Sequence, residues 1–198
     1  MGTEMQSTHI SLLARAKEEM GGATWQEFFD LYSSMIDSWL RRRGLQAQDV
    51  EDVRQEVMTI VIRELPDFEH NGRTGAFRNW LRTVTANRLR QFWRERSRRK
   101  DGADHAYLAE MADQLEDDQS QLSRVWQKEH DEFVLTRLLV QIESEFRPST
   151  VEAFRKVAIG GEDAEKVAEE LQMSVNAIRI AQSRVLRSLR QVAAGLVD

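Results

Sequence analysis

The run AEKVAEELQMSVNAIRIAQSRVLRSLR at residues 164–190 decides how this chain is read. Ala164, Val167, Ala168 and Leu171 recur at three- and four-residue steps and predict a short helix over 163–171. Gln172-Met173-Ser174 leaves room only for a tight turn. Val175, Ile178, Val185 and Leu189 then predict a longer helix from Val175 to about Val192, with Ser174 as its cap. Two helices across such a turn have the pattern of a helix-turn-helix. The outward side of the second helix carries Asn176, Arg179, Gln182, Ser183, Arg184 and Arg187. No Asp or Glu occurs between Val175 and Val197. An ordinary helical hairpin mixes charges on its solvent side, so an acid-free, arginine-bearing face favours a major-groove reader.

Upstream of this run, the helical pattern continues. Val125, Phe133, Leu135, Leu138, Leu139, Ile142 and Phe146 recur with helical spacing from about residue 122. Pro148 suits the start of a helix whose apolar side is Val151, Phe154 and Val157, closed by Gly160-Gly161. Residues 101–120 are acidic and lack clear periodicity, and they read as a linker, allowing only short helical pieces.

Charge is sharply segregated. Residues 70–100 hold ten basic residues against Glu95 alone, a net +9. Residues 101–132 hold ten acids against Arg124 and Lys128, a net −8, and residues 48–69 are at −5. The chain's overall −5 hides these blocks, which imply different partners for different segments. Seven basic residues crowd into 88–100 beside Phe92 and Trp93. Arginines that neutralise phosphates and aromatics that stack on bases are the two ingredients of single-strand binding.

The first hundred residues also read as helices. Trp25, Phe28, Phe29, Tyr32, Ile36, Trp39 and Leu40 follow helical steps after a Gly21-Gly22 break, with Ile10 and Leu13 before it and Gly44 as a stop. Asp49 is the expected cap of the next helix. Its buried stripe is Val50, Val53, Val57, Ile60, Val61 and Leu65, and Pro66 ends it. Asp52, Gln55 and Glu56 lie on the opposite side. A turn-rich loop over 70–75 precedes a third helix bearing Phe77, Trp80, Leu81, Val84 and Leu89.

Composition excludes several classes of protein. The chain has two prolines, ten glycines, no cysteine and 41% apolar residues, which favours packed helices over disorder and rules out disulfides and thiolate metal sites. None of the four histidines forms a metal-ligand pair, and no phosphate-cradling glycine loop occurs. No catalytic residue, metal or cofactor is therefore expected. The N-terminus lacks the pattern of a signal peptide and no stretch has the length of a membrane span, so a cytoplasmic protein without a membrane partner is expected.

Taken together, these segments resemble the extracytoplasmic-function sigma factors of the sigma-70 family. The run DVEDVRQEVMTIVIRELPDFE at 49–69 resembles their polymerase-binding helix. The run GAFRNWLRTVTANRLRQFWRERSRR at 75–99 resembles their promoter-melting segment, and 164–190 resembles their second DNA-binding domain. The resemblance implies an all-α protein of two helical domains, 1–100 and 129–198, joined by the acidic linker 101–128. It implies core RNA polymerase as partner, held through Asp49, Asp52, Val53, Gln55 and Glu56. It places melted promoter DNA at Trp80, Asn87, Arg88, Gln91, Trp93 and Arg94, with a base pocket near the 70–76 loop. Double-stranded promoter DNA falls to the second domain, and an anti-sigma factor or other regulator is a further partner the resemblance suggests.

The chain departs from the family pattern at a few positions. A glycine is common where Gln172 stands, and at a left-handed backbone position Gln would cost about 1 kcal/mol. An acid is common at Gln91, and polar residues are common at Ile180 and Ala181. The alternative reading is a free-standing helix-turn-helix regulator, but the expected ligand or phosphoacceptor domain has no counterpart in 1–100.

Overall fold

The computed structural model describes residues 12–19, 21–69, 75–98 and 106–193. These residues are all-α, as expected, and no strand occurs among them. The helices are α1 (Leu12–Glu18), α2 (Ala23–Arg42), α3 (Ala47–Glu64), α4 (Ala76–Arg98) and α5 (Ala106–Glu116), followed by α6 (Gln121–Ile142), α7 (Pro148–Phe154), α8 (Ala164–Glu170) and α9 (Val175–Val192). Ile10 and the loop 70–74 lie outside the described residues.

Local sequence accounts for the main breaks. Gly21 at φ +85° separates α1 from α2. Gly44 at φ +83° closes α2, with its N–H donating to the Arg41 carbonyl at 3.0 Å. Val50, Val53, Val57, Val61 and Leu65 form the fully buried stripe of α3. The helix begins three residues earlier than expected, after Gln46, so Asp49 is not its cap. Asp49 sits in the first turn instead, where a carboxylate still favours the positive end of the helix.

Phe28, Tyr32 and Phe77 meet edge-on or tilted at the centre of the α2–α4 packing, with Tyr32 and Phe77 centroids 5.1 Å apart. Trp39 of α2 meets Trp126 of α6 edge-on at 4.9 Å, and both are fully buried. Such aromatic pairs add about 0.5–1.5 kcal/mol beyond their area burial.

The segment expected as a linker contains a packed helix. In α5, Leu108, Met111, Ala112 and Leu115 are buried at i, i+3, i+4 and i+7, and they join the same core as α2, α3 and α4. A fully buried leucine of this kind is worth about 1.5–3 kcal/mol. Ser120 caps α6 by accepting from the Ser123 N–H at 2.9 Å. The boundary expected at residue 129 falls inside α6, whose buried residues run from Ser123 to Ile142. Helix α6 packs on α2, α4, α5 and α9, and α2 follows it from Trp126 to Gln141. A continuous helix carries the chain from the first hundred residues into the C-terminal helices.

The C-terminal helices α7, α8 and α9 enclose a smaller cluster of Ala153, Val167, Ala168, Ile178 and Ala181. Val185 and Leu189 of α9 connect to the main core. Between α7 and α8 the chain widens, and the Gly160 N–H reaches the Arg155 carbonyl at 2.9 Å. Gly161 at φ +68° turns the chain toward Asp163, which caps α8. Among the described residues no helix is long and apolar enough to cross a membrane.

Candidate nucleic-acid and protein interfaces

Between α3 and α4 lies a groove of about 330 Å³ lined by Asp52, Gln55, Glu56, Glu95 and Arg96, with Phe92 at its floor. Asp52 and Gln55 are exposed and Glu56 is half-buried. Burial pushes the Glu56 carboxyl above its usual range, with Glu95 adding, Arg88 opposing and Asp52 adding further. Asp52, Glu56 and Glu95 outnumber Arg96 in this groove and leave it net negative, although the raised Glu56 pKa weakens that charge. Two residues expected on this face are not on it. Asp49 is 2% exposed and ion-paired with Arg96, while Val53 is fully buried in the core. Removing one partner of such a buried pair leaves a stranded charge, typically at a cost of about 3–5 kcal/mol.

Helix α4 presents two different faces. On one, Asn87, Gln91 and Arg94 are exposed and Arg88 is half-buried, and together with Arg90, Glu95 and Arg98 they line a groove of about 460 Å³. Among the described residues Arg88, Arg94 and Arg98 have no carboxylate within ion-pair distance. Trp93 is half-buried, and its indole N–H has no partner in the structure. Phe92 is buried and its ring lies under Arg96, 5.0 Å from the guanidinium carbon, so it packs rather than stacks on a base.

The side of α4 toward α5 and α6 is occupied, and Arg90, at the edge of the groove, is paired on that side. Arg78 pairs with Asp131 of α6, and Arg82 pairs with Asp118 in the α5–α6 turn. Arg90 forks between Asp113 at 2.9 Å and Glu116 at 2.7 Å. The hydrogen bond from Arg90 holds the Glu116 carboxyl below its usual range. Sequence reasoning read 101–132 as a separate charge block and missed these pairs. The complementary signs of +9 and −8 in neighbouring blocks were the available signal.

At the N-terminal end of α4 a cavity of about 790 Å³ opens beside Trp80, Asn79 and Arg82, walled by Glu64, Asp67, Glu116 and Asp118. Trp80 is half-buried and tilts against Phe68 at 5.3 Å and Phe77 at 5.4 Å. Its lower edge is thus core and its upper edge faces the cavity. Arg82 Nε and Nη1 and Asn79 Oδ1 are buried without a hydrogen-bond partner in the structure. Gly75 at φ +71° starts the helix with the Arg78 guanidinium lying where a Cβ would project. A side chain there would displace Arg78 as well as strain the backbone.

In the C-terminal pair, the turn Leu171–Ser174 joins α8 to α9, and Ser174 Oγ accepts from the Ala177 N–H at 3.1 Å. Gln172 has φ +53°, the left-handed backbone that suits the glycine common at this position in the family it resembles. Asn176, Arg179, Ser183, Arg184 and Arg187 are all exposed, and Gln182 is half-buried. They share the outward side of α9, because Ile178, Ala181, Val185 and Leu189 are buried. Ala181 is thereby withdrawn from any ligand, whereas Ile180 is 50% exposed. The Arg184 guanidinium lies 6.0 Å from the Phe146 ring centroid, which leans it toward α7.

Residues 28–99 match the family model described as Sigma-70 region 2. The match covers most of α2, all of α3 and all of α4, so this stretch is similar to a sigma-70 region 2 domain. No curated protein and no solved structure matches the chain.

Proposed function

We propose that this chain is a sigma factor of the extracytoplasmic-function type. It binds core RNA polymerase through the acidic α3 groove around Asp52, Gln55 and Glu56. It holds the melted promoter strand along Asn87, Arg88, Gln91 and Arg94 of α4, with Trp80 and Trp93 as aromatic neighbours. It reads the duplex upstream element through α9, where α8, the turn and α9 act as a helix-turn-helix. The division of labour follows the chain, with polymerase and melted DNA served by the first hundred residues and the upstream element by the helices after α6. Its place of action is the cytoplasm, where promoter DNA and polymerase meet, and an anti-sigma factor or other regulator is the remaining partner class.

The observation that carries this reading is the two-sided α4 of the region 2 domain, with an exposed arginine groove and a tryptophan-edged cavity on one helix. Phosphates need the arginines, and unstacked bases need the aromatics at about 1–3 kcal/mol each. Permanganate footprinting of unpaired thymines, with core polymerase present, tests it. Asn87→Ala with Arg88→Ala should lower thymine reactivity on a duplex promoter, and a pre-opened bubble template should restore transcription in part. Equal loss on both templates would assign these residues to folding or polymerase binding.

A further inference from the structure

The arginines on the α5-facing side of α4 are shielded, while their partners are not. The Arg82 side chain is 4% exposed and that of its partner Asp118 is 73% exposed. Arg90 is 21% exposed, against 71% for Asp113 and 42% for Glu116. The buried apolar seam of α5 fixes where these carboxylates stand, without restraining their solvent-facing rotation. A carboxylate on a guanidinium occupies the geometry that a phosphate would take.

We propose that in the free protein the acidic edge Asp113, Glu116 and Asp118 stands in for strand phosphates on Arg82 and Arg90, and so holds single-stranded DNA off the α5-facing side of α4. The proposal rests on reading α4 as the strand-holding helix. It deepens that reading by adding a device that keeps the free chain from taking up DNA indiscriminately. Exchange of carboxylate for phosphate is a side-chain event, because the seam of Leu108, Met111 and Leu115 stays packed while exposed carboxylates rotate away. The carboxylate of each pair stays largely in water, which limits what the pair gains, so a strand delivered at high local concentration on the polymerase displaces it.

The test measures binding of a fluorescent oligothymidylate to the full chain at low salt, by anisotropy. Asp113→Asn, Glu116→Gln and Asp118→Asn together should tighten binding about tenfold. A charge-matched control, Glu152→Gln, Glu165→Gln and Glu169→Gln on distant exposed sites, should tighten it about twofold at most. Adding Arg90→Gln should abolish most of the gain in the first variant. An equal gain in both triple variants, or no gain in the first, overturns the proposal. The single changes Asp113→Asn and Asp118→Asn, at highly exposed positions, should each give part of the gain if the triple variant fails to fold, and no gain from either also overturns it. If Arg88→Ala and Arg94→Ala leave oligothymidylate binding unchanged in every background, the strand-holding reading of α4 itself fails.

Discussion

The Tyr32 hydroxyl lies 3.5 Å from Nε2 of His130, inside the core between α2 and α6. On the other side of the imidazole, Nδ1 is 2.9 Å from Asp131, which in turn pairs with Arg78 of α4. A polar relay thus ties three helices together where the packing is otherwise aromatic.

Burial lowers the His130 pKa below its ordinary 6.5, although the Asp131 hydrogen bond acts against it. The folded protein therefore keeps the imidazole neutral while the unfolded chain binds a proton near pH 6.5. Stability from this group is present above that pH and is lost as pH falls through and below it. In urea titrations, the wild-type midpoint should drop more steeply than that of His130→Gln between neutral pH and the region below 6.5. Parallel pH profiles would exclude His130 as the source.

Helix α5 is core and not linker. Leu115→Ala should cost about 2–5 kcal/mol by chemical denaturation. Val140→Ala, at a side chain 54% exposed, should stay within about 0.5 kcal/mol. A small effect at Leu115 would return this segment to a linker.

The left-handed backbone at Gln172 is strained for a side chain. Gln172→Gly should raise stability by about 0.5–1 kcal/mol, seen as a higher denaturant midpoint at an unchanged slope. Gln172→Val should lower it, because β-branched residues tolerate this region least.

At the acidic groove, Asp52→Lys with Glu56→Lys should weaken capture of core polymerase about tenfold while leaving the melting temperature nearly unchanged. Asp49→Ala should behave in the opposite way, lowering stability through the stranded Arg96. Unaltered polymerase capture by the double reversal would move the polymerase site elsewhere.

The outward arginines of α9 should separate into two kinds. Arg179 projects freely, so Arg179→Ala should cost about 1–3 kcal/mol at a specific site and relax its sequence preference. Arg184 leans over Phe146, so Arg184→Ala should weaken binding evenly across sequences and lower the salt slope by about one. Competition assays across salt concentrations distinguish these outcomes.

Much of the fold was legible locally. The helices α2, α3, α4, α6 and α9 carry apolar residues at helical steps, and that periodicity survives any tertiary arrangement. Ser174 was readable as a cap and Gly21 and Gly44 as breaks, since capping and left-handed turns are decided within a few residues. The exposed set Asn176, Arg179, Ser183, Arg184 and Arg187 followed from the same periodicity. Helix α5 was not legible, because its stripe is short, built partly of Met and Ala, and diluted by acids. The N-terminal start of α3 was misplaced for a similar reason, as Asp49 looks like a cap but its carboxylate is claimed by Arg96.

Sequence alone determined that this protein is helical, which side of each long helix is apolar, and that its charge is divided into blocks of opposite sign. Only the tertiary structure decided which charges remain available. Arg90 and Asp113 are 23 residues apart, Arg82 and Asp118 36, Asp49 and Arg96 47, and Arg78 and Asp131 53. Helical periodicity is a property of neighbours three or four residues away, whereas ion pairing depends on which helices the core brings together. The packing of α5 and α6 against α4 therefore chose the face of the basic helix that stays open to solvent.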